Sequence, residues 1–228
     1  KNIYEDIIDE DSLDTYDTIF HITLEIKGLS NQKYDRKNIE DLITEYFSVK
    51  KFRKLKPKNK KKIKKISIFP ISQSPLRTMT IDLLNQIIDF FCKEKEIEIV
   101  LDNQSQISNY VEKNINLKSS KVIHPKNLNE LLLVIENINF GIFMDSGPLH
   151  VAKILNKKGV FITSSVGKEK LLTDFKSIQS IDNNYKSSYC KSPCGLVNVF
   201  YYNNKVGCYD SLGIQKKTIL ELNNLQNL

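Results

Sequence analysis

Phe140-Gly-Ile-Phe-Met-Asp-Ser-Gly-Pro-Leu-His-Val-Ala152 passes from an apolar run through a polar turn into a helix start. Phe140 to Met144 reads as a strand buried on both faces, and Pro148 to Leu155 as a helix. Pro148 suits the first helical position, with Ser146 or Gly147 at the cap. Working outward, the same unit repeats. Upstream, Asn127 with Glu130 resembles a capping box, and Leu128, Leu131, Leu132 and Ile135 form a helix face. Lys121 to His124 is a short strand before it. Ile107, Tyr110 and Val111 mark another helix, preceded by a strand from Ile97 to Leu101. Leu84, Ile87, Ile88 and Phe91 give a further helix face with Thr80 as its cap, after a strand from Ile66 to Phe69 that Pro70 ends. Downstream, Val160 to Thr163 is a fifth strand. Strands alternating with helices over short connections predict an α/β fold, a Rossmann-like doubly wound parallel sheet with helices on both faces. No GxGxxG follows the first strand and no Walker A motif is present.

The 228 residues are 40% hydrophobic, enough for a real core and against a disordered chain. No apolar run approaches the ~20 residues of a membrane span, and no signal-peptide pattern opens the chain. The chain opens on Lys1 and its first methionine is Met79, which points to a numbering that begins inside a longer protein, or to a removed segment. The four cysteines are too sparse for a secreted disulfide scaffold, so a cytoplasmic chain is expected.

The net charge of +7 has one source: residues 50–65 hold 11 Lys and Arg and no acid. Without them, 23 basic residues face 27 acidic ones. Such a run can touch nucleic acid or anionic head groups, but its only aromatic is Phe52, and blocks of like charge are usually solvated connectors. We read 50–65 as a basic linker, assign no nucleic-acid partner, and leave open a peripheral contact with the inner-membrane surface. Ahead of it, residues 1–17 are acidic and without periodicity. Thr18 to Leu24 reads as a strand, and Ile39, Leu42, Ile43 and Tyr46 as a short helix face. That is too little for an independent core, so residues 1–49 are expected to be the remnant of a neighbouring domain and residues 66–228 the main one.

Seven of the eight glycines lie between 141 and 213. The Asp145-Ser146-Gly147-Pro148 turn is the densest candidate for chemistry, because first-turn N–H groups would point out of the carboxyl edge of the sheet. That is a ready phosphate or diphosphate site. Asp145 can tie the loop by accepting backbone N–H bonds, and His150 lies in the first turn. An ordinary capped helix start, with His150 in the core, is the plain alternative. The loop after the first strand offers the hydroxyls of Ser72 and Ser74 and the guanidinium of Arg77, and could face the same crevice. On its own it reads equally as a polar turn.

Taken in order, these residues resemble a family. Phe143-Met-Asp-Ser-Gly-Pro-Leu-His150 and its continuation to Phe161 closely resemble the heptosyltransferases of glycosyltransferase family 9, where an Asp-Ser/Thr-Gly-x-x-His segment opens a helix. Ile66-Ser-Ile-Phe-Pro70 with Arg77-Thr-Met-Thr80 resembles that family's first donor-domain strand and its Lys-Arg-Trp-Pro segment. Met79 and Thr80 replace Trp and Pro. Cys190-Lys-Ser-Pro-Cys194 with Gly207-Cys208 resembles the cysteines of the family's tail.

The resemblance implies a GT-B architecture, with the donor domain at residues 66–228 and an incomplete N-terminal acceptor domain. It implies inverting transfer of a heptose or related sugar from a nucleotide-diphosphate donor to a glycolipid acceptor of the lipopolysaccharide type, without cofactor or divalent metal. Donor contacts then fall to Ser72, Ser74, Arg77, Asp145, Ser146, Gly147 and His150. The family's catalytic carboxylate has no counterpart in this sequence. Glu10, Asp11, Asp14 and Asp17 precede the linker, but nothing maps any of them to the base, and no catalytic residue is assigned. The alternatives are a catalytically incomplete nucleotide-sugar-binding domain, or a basic protein that binds nucleic acid or a membrane surface.

Cys190, Cys194 and Cys208 are the candidate ligands for a metal site. Structural zinc prefers four ligands and no fourth stands nearby, so a thiol cluster or a redox-dependent pair is the better expectation.

Overall fold

Thr80 leaves the extended backbone and its hydroxyl accepts the Leu83 N–H at 3.3 Å, which starts the first helix. The helix then buries Leu83, Leu84, Ile87, Ile88 and Phe91 on one side. Each such side chain contributes roughly 1.5–3 kcal/mol by leaving water. A computed structural model describes residues 63–72, 77–103, 105–172 and 175–182, the single residues 41, 44 and 48, and the backbone of 201–202 and 205–206. All of these lie in the second of the chain's two compact units, Arg36–Leu228.

In chain order the elements are β1 (Lys65–Phe69), α1 (Ile81–Phe91), β2 (Glu96–Val100), α2 (Gln106–Asn114), β3 (Lys121–Ile123), α3 (Leu128–Glu136), β4 (Phe140–Phe143), α4 (Gly147–Ile154), β5 (Gly159–Ile162), α5 (Lys168–Leu171) and β6 (Ile178–Ile181). The six strands form one sheet in the order β3-β2-β1-β4-β5-β6. Every neighbouring pair is parallel. Two further two-residue strands, β7 (Tyr201–Tyr202) and β8 (Lys205–Val206), pair antiparallel with each other.

From residue 66 to residue 163 the expected strands and helices form, with ends within a residue or two. β6 and the one-turn α5 were not anticipated. Their apolar residues, Leu171, Leu172, Ile178 and Ile181, are buried by neighbours rather than marked by a long local pattern. The expected strand before residue 50, the helix there apart from Asp41 and Thr44 (both helical), most of the basic linker, Glu10, Asp11, Asp14 and Asp17, and the three tail cysteines lie outside the described residues. β1 begins at Lys65, the last residue assigned to that linker.

The strand pleat sorts side chains into two cores. Ile66, Ile68, Ile97, Ile99, Ile142, Met144, Val160 and Ile162 meet α1 and Val111 of α2. Phe69, Val100, Phe143 and Phe161 meet Ile135 of α3 and Leu149 and Ala152 of α4. Phe143 stacks on Phe69 with centroids 5.0 Å apart, and its ring lies over Gly141 and Gly159. A Cβ on Gly141 would overlap that ring, and one on Gly159 would overlap the Gly141 carbonyl oxygen.

Towards the amino edge, the face carrying Phe69 turns polar. Glu98, buried on β2, accepts from Lys65 at 2.8 Å and Lys121 at 2.9 Å. Burial pushes its carboxyl up, but the hydrogen bonds and charges of the two lysines pull it further down, below the ordinary value of 4.5.

Candidate functional site

A sheet with strand order 3-2-1-4-5-6 has its crevice where the order reverses, between β1 and β4 at their carboxyl ends. The loops leaving those two strands are pinned to each other. Within the first, the Met79 N–H donates to the Pro70 carbonyl at 2.9 Å and the Ser72 N–H to Thr78 Oγ1 at 3.1 Å. Across the crevice, Ser72 Oγ donates to the Asp145 carbonyl at 2.9 Å, and Arg77 Nη1 to Asp145 Oδ2 at 2.8 Å. The Asp145 carboxylate therefore holds an arginine instead of the backbone N–H groups expected of it. Ser72 and Asp145 are buried, so their bonds fix the loops' relative position. Arg77 Nε is buried without a hydrogen-bond partner, which leaves one edge of the guanidinium unsatisfied.

Above these loops lies a cleft of about 850 Å³. Ser72, Arg77, Asp145, Ser146, Gly147 and His150 all line it, so six of the seven expected donor contacts converge. The seventh, Ser74, lies outside the described residues. The cleft continues past the crevice to β2 and β3. There Val100, Leu101, Ile107, Leu128 and Leu131 form an apolar wall, with Asp102, Ser105 and Asn127 among them. Leu128 stands at the lip with 65% of its surface exposed. In the sequence Val100 and Leu101 read only as a strand end, Asn127 as a cap, and Ile107, Leu128 and Leu131 as helix faces, while Asp102 and Ser105 carry no signal of their own. Their convergence depends on three loops separated along the chain.

The starts of three helices border the cleft, and they differ. Ser105 caps α2 by accepting the Ser108 N–H at 3.0 Å. Asp102 braces that turn: Oδ1 accepts the Ser105 N–H, and Oδ2 accepts the hydroxyls of Ser105 and Ser108, both at 2.8 Å. Asn127 caps α3 by accepting the Glu130 N–H at 3.0 Å. Glu130 reaches back to the Lys126 N–H at 2.8 Å, one residue before the place that a capping box would use. α4 has no side-chain cap. Ser146 occupies the cap position, but its hydroxyl donates backward to the Met144 carbonyl at 3.4 Å, and Pro148 is the second helical residue, not the first. A Cβ built on Gly147, at the head of this helix, meets nothing within 4 Å. Of these three, the start without a side-chain cap is thus also the one open to the cleft. A helix terminus in that condition presents N–H groups and positive potential to an anion.

The electrostatics are balanced. Arg77 and Asp145 cancel as a pair, and Asp102 is turned towards the start of α2. His150 lines the cleft, and its Nδ1 lies 3.5 Å from Lys153 Nζ. Among the described residues, no three His, Cys, Asp or Glu side chains are grouped so that they could hold a metal ion. No helix among the same residues is long and apolar enough to cross a membrane.

The structure is similar to that of the ADP-heptose lipopolysaccharide heptosyltransferase II of E. coli, with a TM-score of 0.49 at 14% identity, over 86% of this chain and 52% of that one. The E. coli heptosyltransferase WaaC solved with ADP aligns at a TM-score of 0.47 and 9% identity, over 69% of this chain and 50% of that one. A glycosyl transferase family 9 protein of Veillonella parvula aligns at 0.45 and 14% identity, over 69% of this chain and 46% of that one. The chain thus spans about half the length of each of these transferases. No protein-family model and no curated protein matches it.

Proposed function

We propose that this chain is the donor-binding part of a glycosyltransferase that moves a heptose or related sugar from a nucleotide diphosphate to a glycolipid acceptor of lipopolysaccharide type. The observation that carries the reading is the uncapped, open head of α4 at Gly147, set beside Arg77 in a cleft whose other end is apolar. The cleft runs along the carboxyl ends of β3, β2, β1 and β4, three interstrand steps or roughly 14 Å. That length and polarity suit a diphosphate at the α4 end and a nucleoside against Ile107, Leu128 and Leu131. The motif resemblance of Asp145 to His150 supports the same assignment.

In this reading the acceptor oxygen attacks the anomeric carbon, the bond from that carbon to the diphosphate oxygen breaks with inversion, and the acceptor's proton passes to a base. Charge develops on the departing diphosphate. The Gly147 N–H and the positive end of α4, together with Arg77, would stabilise it without reorganising, because Asp145 and Ser72 already fix the loops' positions. The base belongs to acceptor-side sequence and is not assigned to any residue. The reading needs no metal and no cofactor, and it places the enzyme in the cytoplasm, with the lysine-rich segment 50–65 available to an anionic membrane surface.

Calorimetric titration with ADP, UDP and a short RNA at two salt concentrations tests this. Binding of a nucleoside diphosphate is expected. RNA binding that falls steeply with salt, without nucleotide binding, would favour the basic-protein alternative instead. Sugar transfer by the full-length gene product separates an active transferase from a binding domain that has lost catalysis.

A further inference from the structure

Lys153 is a lysine with 2% of its surface exposed, one helical turn after His150 on α4. Its ammonium lies 4.7 Å from the centre of the Phe175 ring and 3.5 Å from His150 Nδ1. An ammonium carries three donors and no acceptor, so the ring nitrogen facing it serves as the acceptor. The single proton of a neutral imidazole is then on Nε2. A second proton, on Nδ1, would set two cationic N–H groups against each other inside the protein, which disfavours the imidazolium.

We propose that Lys153 is a positioning residue that holds His150 neutral with its proton on Nε2, so that the ring meets an anion in the cleft as a hydrogen-bond donor rather than as a cation. The anion's part in this rests on the nucleotide reading above, whereas the state of the ring rests on the Lys153 contact.

Among the described residues, the other charged groups named on the surrounding elements are partnered or stand exposed away from the ring. Arg77 is paired with Asp145, and Asp102 with Ser105 and Ser108. On α3, which packs against α4, Glu130 is bonded to the Lys126 N–H, and Glu136 stands exposed at the far end. Beyond β5, Lys168 is paired with Asp182. A histidine in an anion site would ordinarily gain a proton as the anion arrives, and binding would tighten as pH falls through ~6.5. With Lys153 in place, that linkage is suppressed.

Nitrogen NMR of labelled histidine in the full chain tests the proposal. With three histidines in the sequence, a His150→Gln sample assigns the signal. In the parent at neutral pH, His150 is expected to show Nδ1 bare and Nε2 protonated. It should become doubly protonated about one pH unit lower than in Lys153→Met. A parent ring protonated on Nδ1, or on both nitrogens, overturns the proposal without reference to any variant. So does the same protonation midpoint in Lys153→Met. ADP affinity measured at pH 6 and pH 8 gives the second readout. It should change less than about twofold in the parent and about tenfold in Lys153→Met, with tighter binding at pH 6. If the ring spectra follow expectation but neither protein binds ADP, the nucleotide reading fails, and His150's role towards an anion fails with it.

Discussion

Gly141 and Gly147 lie six residues apart, one at the start of β4 and the other just past its end, and they lack side chains for opposite reasons. At Gly141 the missing Cβ makes room for the Phe143 ring, and at Gly159 on the neighbouring strand it makes room for the Gly141 carbonyl. These two positions are closed by packing. At Gly147 a Cβ would enter open space, so nothing in the fold requires glycine there. The contrast separates the two ends of the sheet: near the amino end of β4 glycine serves the core, and at the carboxyl edge it leaves space in the lining of the cleft proposed to take the donor. Glycine clustering along the sequence does not distinguish the two.

Substitutions at the two ends of the sheet put this contrast to the test. The largest effect is expected from Gly159→Val. Its Cβ meets a backbone oxygen that cannot rotate away, so the substitution should cost about 3 kcal/mol or more, the upper end for overpacking. Urea unfolding measures it, and a midpoint equal to the parent's would mean that the sheet tolerates the bulk.

Arg77→Ala should weaken nucleotide-diphosphate affinity by roughly 10- to 150-fold, the loss of a hydrogen bond to a charged group. It also leaves the buried Asp145 without its partner, so stability falls too. Arg77→Lys keeps the charge but lacks the fork that can serve Asp145 and a phosphate at once. It should retain more stability than affinity. Equal retention of both would make the Arg77–Asp145 pair a purely structural tie.

Gly147→Val should leave the unfolding midpoint within about 0.5 kcal/mol of the parent while lowering nucleotide affinity about tenfold or more. The pattern is the reverse of Gly159→Val. Affinity unchanged in both Gly147→Val and Arg77→Ala would move the donor site elsewhere.

The smallest effect concerns the amino side of the sheet. Glu98 is held below its ordinary value of 4.5 when folded, so its contribution to stability is present above that pH. It is lost as pH falls through the lower, folded value. Glu98→Gln should flatten the stability-versus-pH curve below about pH 4.5. It should leave nucleotide affinity at neutral pH unaltered, because Glu98 lies away from the cleft lining. A change in affinity would mean that the two ends of the sheet are coupled.

Much of the fold was legible because its signals are local. Thr80 and Asn127 cap the helices they were expected to cap, and the apolar strand runs from Ile66 to Ile162 all pair in parallel. β6 was missed because it is short and follows a one-turn helix, so its strand character comes from pairing with β5. Within the site, Asp145, Ser146, Gly147 and His150 were recognisable as one turn. Arg77 could be named as a phosphate ligand, but not as Asp145's partner, since that bond joins residues 68 apart.

The alternation of strands and helices, the likeness of the Asp-Ser-Gly-Pro-Leu-His turn to one family, and the caps at Thr80 and Asn127 can be read from the sequence alone. Those properties depend on neighbours within one or two turns. The three-dimensional fold was needed to show that Ser146 does not cap α4, that Gly147 faces open space, that an apolar wall from the end of β2, α2 and α3 completes the cleft, and that Lys153 is buried against His150. These follow from which strand ends the sheet order brings together. Burial and hydrogen-bond partnership are set by residues distant in the chain, and no local pattern contains them.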